Sequence, residues 1–177
     1  PYRHDAIDRT DYSALEAGPE LLRLLESNGD WLVVHGHRHY PNLVYAGGGV
    51  RAPVILAAGS FAALLYPELQ GRVRNQFHIL DLEGPAVIDG TSGMCGRVRS
   101  WEYNWAQGWT RPNSMEGIPD GAGFGYRNGI PRVVDRLTEL LSQRQPNAFI
   151  PLAELLMEAP ELGYLLPHDR ARALEEL

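Results

Sequence analysis

The chain has 177 residues with 44% hydrophobic side chains, enough to bury the core of one ordinary domain or of a modest domain with an appendage. Its formal net charge of −6 excludes long-range attraction to nucleic acid or anionic lipid and leaves room only for a local basic pocket. Cys95 stands alone, which excludes an intramolecular disulfide and a four-cysteine zinc site and suits a reducing, cytoplasmic setting, and no apolar run reaches the roughly 20 residues that a bilayer demands.

The first stretch, Pro1 to Asp11, is charged and carries no signal-peptide pattern. Because it opens on Pro without a leader, a region upstream is expected. Gly18-Pro19-Glu20 followed by Leu21, Leu22, Leu24 and Leu25 predicts a helix with one buried face, since Pro suits the first helical position and Glu the positive helix end. Asn28-Gly29 stops it. Trp31-Leu32-Val33-Val34 then predicts a short buried strand, half of an α/β unit. That strand runs into His35-Gly36-His37-Arg38-His39, at the carboxyl end where open α/β sheets place their sites.

Gly47-Gly48-Gly49 is a turn, and Val54-Ile55-Leu56-Ala57-Ala58-Gly59-Ser60 predicts a second buried strand. The alternation in Gln76-Phe77-His78-Ile79-Leu80-Asp81-Leu82 predicts a half-exposed strand, with Ala86-Val87-Ile88 as its hairpin partner. Composition changes near Asp89, which divides the chain into residues 1–89 and 90–177. Gly90 to Gly129 is rich in Gly, Trp and Tyr, a β segment in which Trp101, Tyr103 and Trp105 share one face. The Asp120 to Tyr126 stretch is Gly-rich, but it lacks the Lys-Ser/Thr of a phosphate loop and reads as a plain loop. Beyond Pro131 the pattern is helical: Val133, Val134, Leu137, Leu140 and Leu141 form one stripe, and Pro151 to Met157 and His168 to Leu177 predict two shorter helices.

Histidine is the commonest side-chain ligand for divalent transition metals near neutral pH. On an extended segment residues two apart project to one side, so His37 and His39 could serve one centre or, on a bent loop, two adjacent ions. The same pair also suits a single-metal site, for which His78 is the nearby third ligand, or ordinary surface histidines. His35 is a candidate orienting or structural residue, while His78, alternating with apolar neighbours, is expected to be exposed. The group Trp101, Tyr103, Trp105 and Trp109 suits a stacking platform for a base or sugar, or a small aromatic core.

Leu32-Val-Val-His-Gly-His-Arg-His39 resembles the closing G-H-x-H motif of the calcineurin-like metallophosphoesterases. The preceding helix, the strand ending in Gly59-Ser60 and the strand at Asn75 to Leu80 agree with that family, and the resemblance covers about Pro1 to Glu83. It implies an α/β fold, part of a two-sheet metallophosphoesterase sandwich, followed here by the Trp/Gly-rich β segment and a helical tail. It also implies two divalent ions (Mn, Fe, Zn or Co), with His37 on one and His39 on the other, and Arg38 and His35 as substrate-contacting or supporting candidates. The activity implied is hydrolysis of a phosphate monoester or diester. The family's D-x-H, G-D-x-x-D and G-N-H motifs are absent from this sequence, so no catalytic residue can be assigned and the chain by itself is expected to be inactive or nearly so. The competing expectation is a non-catalytic module on a phosphoesterase remnant, with residues 90–177 serving a protein partner or self-association.

Overall fold

The computed structural model describes residues 15–36, 39–47, 51–65, 67–84, 91–113, 116–144 and 149–177. These form an α/β structure with two sheets and a helical C-terminal segment. The chain divides into two compact units, one built on residues up to Ile79 with Arg99–Asp120, the other on Leu80–Val98 with Gly121–Leu177. The compositional boundary at Asp89 and the proposed strand Ala86-Val87-Ile88 lie outside the described residues.

In the first unit, α1 (Gly18–Ser27) forms where the leucine stripe predicts it, with Pro19 in its first turn. The expected buried face is not seen: no residue of α1 is buried, and Leu21 and Leu24 are 40% and 60% exposed. Periodicity fixes which residues share a face but not what covers it. β1 (Leu32–His35) pairs in parallel with β3 (Val54–Ala58), and β2 (Pro41–Tyr45) pairs with β3 from the other side, antiparallel. The central position of β3 explains its unbroken apolar run, with Val54, Ile55 and Leu56 all buried.

The second sheet has the order β4-β5-β6, formed by Gln76–Glu83, Thr91–Asn104 and Gly108–Thr110, with β7 (Ala122–Tyr126) also on β5. Alternation along the C-terminal half of β5 puts Ser100 and Glu102 inside, while Arg99 is exposed. A fully buried carboxylate is tolerated only when compensated. Glu102 accepts hydrogen bonds from the Arg74 guanidinium at 2.7 Å and from the Asn113 amide at 3.1 Å.

The second unit contains β7, α2 (Ile130–Ser142), α3 (Leu152–Glu158), a 3-10 turn at Pro160–Tyr164 and α4 (Pro167–Glu175). Ile130, Val133 and Leu137 place the inner face of α2 on a core shared with Leu162, Ala173 and Cys95. The Gly-rich stretch expected to be a loop is largely strand: Ala122 to Tyr126 are buried throughout and pair with β5. Its glycines serve backbone approach. A Cβ on Gly123 would stand 2.1 Å from the Gly163 carbonyl oxygen, and one on Gly125 would stand 2.2 Å from the Cys95 Cβ.

Candidate functional site: the strand-end histidine loop

The site lies where the first sheet ends. In register, His35 stands beside Ala57 and Pro41 beside Ala58, so the two ends of the histidine segment flank the carboxyl end of β3. Past that end Gly59 adopts a left-handed φ of 71°. A Cβ there would lie 3.1 Å from the Pro41 ring, so Gly59 lets the start of β2 pack closely on the end of β3.

His35 closes β1, half-buried, with its Nδ1 3.2 Å from the Gly36 carbonyl oxygen. His37 and Arg38 lie outside the described residues. His39 is half-buried, its Nδ1 atom is shielded from solvent, and its φ is 55°. Among the described residues it is the sole non-glycine at positive φ. That conformation costs an L-residue roughly 1–2 kcal/mol, and such strain gathers at functional sites.

The next residue anchors the loop. The Tyr40 hydroxyl donates to Glu116 Oε2 at 2.7 Å, and Arg72 holds the same carboxylate through Nε and a terminal nitrogen, each at 3.0 Å. Burial, reinforced by the Glu116 carboxylate and opposed by Arg72, pushes the Tyr40 phenol up to about 12. A second lock holds the end of β3. His78 Nε2–H donates to the Ala58 carbonyl at 3.1 Å, leaving Nδ1 to accept from the Ser100 hydroxyl at 2.9 Å. His78 is therefore half-buried rather than exposed as expected. Burial holds its imidazole below the usual histidine range, with the Ala58 bond partly opposing. With both ring nitrogens engaged, His78 is not a spare third ligand.

The structure thus keeps His35 and His39 at one sheet end and sets His78 apart as a structural partner. Among the described residues no three His, Cys, Asp or Glu side chains group as a metal site. Sequence inspection missed Glu116, Arg72 and Ser100 altogether, because contacts across 22 to 76 positions leave no local pattern.

An aromatic cluster occupies the outer side of the second sheet within the same unit. Phe77 lies parallel to Trp101, with ring centroids 4.9 Å apart and planes at 3°. Phe61 stacks on Trp109 at 4.9 Å, and Tyr103 meets Trp105 and Trp109 edge-on at 5.5 Å. Arg111 covers Trp101 at 4.3 Å and also pairs with Asp120 at 2.9 Å. In the second unit, Tyr126, Arg132, Asp135, Arg136, Glu139 and Glu161 line a cavity of about 420 Å³. Within it Arg136 pairs with Glu161 at 2.9 Å.

Residues 122–177 match a family model described as wHTH-Calcineurin_assc, a calcineurin-associated winged helix. No curated protein and no solved structure matches the chain. No helix among the described residues is long and apolar enough to cross a membrane.

Proposed function

We propose that this chain carries the closing metal-ligand loop of a dinuclear phosphoesterase that hydrolyses a phosphate monoester or diester. The observation that carries the reading is His39, an imidazole held in a strained left-handed conformation at the carboxyl end of a parallel strand pair. The match of the C-terminal segment to a calcineurin-associated module is consistent with such a neighbour. On this reading the first sheet is part of a metallophosphoesterase sandwich.

The donor type suits divalent ions: a half-buried imidazole with a shielded Nδ1, on a loop pinned at Tyr40. His37 and His39 would hold one ion each, drawn from Mn, Fe, Zn or Co, with Arg38 and His35 nearby in sequence to meet substrate or steady a ligand. Such ions clamp the phosphoryl oxygens and supply a hydroxide nucleophile. This chain's own contribution is positional: Tyr40–Glu116–Arg72 fixes where the loop enters β2, and His78–Ser100 fixes the strand it crosses. A hydrolytic zinc centre takes three protein ligands, so His37 and His39 would need further donors beside them.

The test is metal-dependent hydrolysis of bis(p-nitrophenyl) phosphate by the full-length protein. Turnover is abolished in both His37→Ala and His39→Ala, and wild-type rates in both would sink the proposal.

The alternative, an interaction module, is favoured by a specific observation in the C-terminal segment. Between residues 122 and 177 six arginines face eight carboxylates, so its winged-helix likeness does not come with the basic surface a nucleic-acid reader needs. Phe149, ahead of α3, and Met157, within it, are instead 91% and 77% exposed, apolar side chains open to a protein partner or a second copy.

A further inference from the structure

The left-handed backbone at His39 costs free energy that something else in the fold must offset. Strand topology explains part of it. β1 runs with β3 and β2 runs against it, so within residues 36–40 the chain reverses and crosses the end of β3, about 10 Å at sheet spacing. Pro41 opens β2, and a residue before proline is kept out of the helical region. The reversal is therefore complete before Tyr40, but nothing so far selects residue 39 to make it.

Tyr40 is held at both ends. Its ring packs on the buried pair Leu69 and Val73, and its hydroxyl donates to Glu116 Oε2 at 2.7 Å. The same tight turn carries Arg72, whose fork meets both oxygens of Glu116. Glu116 in turn stands on a fixed base. Beside it Gly117 takes a φ of 111°, and the Ile118 amide donates at 3.1 Å to Oε1 of the buried Gln76. On the other side the Pro41 ring lies against Gly59, where a Cβ would come within 3.1 Å of it. Contacts outside the loop thus locate both Tyr40 and Pro41, and the backbone at 39 has to meet them. A hydrogen bond to a charged group typically contributes more than one left-handed residue costs, so the Tyr40–Glu116 bond is strong enough to hold it.

We propose that the Tyr40 hydroxyl, seated on Glu116 and Arg72, imposes the left-handed conformation of His39, which makes Tyr40 and Glu116 positioning residues for that imidazole. When the bond is broken, His39 relaxes to an ordinary backbone region while the strands on either side stay paired. The ion pair of Arg72 with Glu116 is partly exposed and adds little stability by itself; its part is to aim the carboxylate at Tyr40. The inference stands apart from the phosphoesterase reading, because it concerns the backbone and its test holds neither metal nor diester.

The experiment compares His39→Gly with His39→Ala by thermal denaturation of the full chain in three backgrounds: wild type, Tyr40→Phe and Glu116→Ala. Tyr40→Phe keeps the ring on Leu69 and Val73 and removes only the hydroxyl, while Glu116→Ala breaks the same bond from its other end. In the wild-type background the glycine variant melts above the alanine variant by about 1–4 °C. With the bond broken the order reverses, and alanine melts higher by about 1–4 °C, because only the unfolded-state freedom of glycine is left to count. A bond that merely stabilises the fold lowers both variants alike and leaves their order unchanged. Glycine at or above alanine in either broken background overturns the inference, as does alanine at or above glycine in the wild-type background.

Discussion

Replacing His39 by Gly, Ala and Asn separates its backbone from its chemistry. At φ 55° a residue with a Cβ suffers about 1–2 kcal/mol that glycine does not. Glycine in turn has more unfolded-state freedom to lose, about 0.4–1 kcal/mol. His39→Gly is therefore expected to be more stable than His39→Ala by roughly 0.5–1 kcal/mol, although glycine removes more atoms. For a protein of this size that is a difference of about 1–4 °C in Tm. Asn tolerates the left-handed region, so His39→Asn falls near the wild type. Thermal and urea denaturation of the three variants read the stability, and hydrolysis of the model diester reads the function, which all three lose. If His39→Ala proves at least as stable as His39→Gly, the backbone at 39 is not left-handed and the strain assigned to this loop is refuted.

Three further outcomes follow from contacts elsewhere. Burial depresses the His78 pKa, so below the ordinary value of 6.5 the unfolded chain takes up a proton that the folded chain resists; unfolding free energy should fall as pH drops from about 7 to 5, and the slope should flatten in His78→Gln. Gly123→Ala sets a Cβ against the Gly163 backbone and should cost at least about 1–3 kcal/mol in urea denaturation, whereas an unchanged midpoint would remove the close approach of β7 to the 3-10 turn. Sedimentation of a Phe149→Ser, Met157→Ser double variant should show loss of any self-association of the wild type, and equal association in both would clear that surface of the role.

Much of the architecture was legible because it depends on local pattern. The apolar run at Val54 to Ala58 is a central strand, and the stripe through Val133 and Leu137 is the inner face of α2. His35 at the end of β1 and His39 beyond it follow from the same logic, since an apolar run gives way to polar side chains where the strand leaves its sheet. What surrounds them was not legible. Tyr40 carries no local signal of its role, which appears only when Glu116, 76 positions on, is folded against its hydroxyl. His78 shows the same blindness: alternation predicts which side of β4 it occupies, but the Ser100 and Ala58 partners that bury it come from two other strands.

The glycine-rich stretch from Asp120 shows how one composition supports opposite structures. Glycine is admitted to a loop for its conformational range and to a strand for its missing side chain, and sequence records only the residue. Gly121 and Gly125 take left-handed φ of 68° and 105°, as a loop would require. Gly123 does not, yet it is the position where a side chain would meet another segment's backbone. Ala122 and Phe124, fully buried on either side of it, carry the apolar signal that a reading of glycine alone passes over. Close packing by the Gly163 backbone, rather than a bound phosphate, thus accounts for the missing side chain at Gly123.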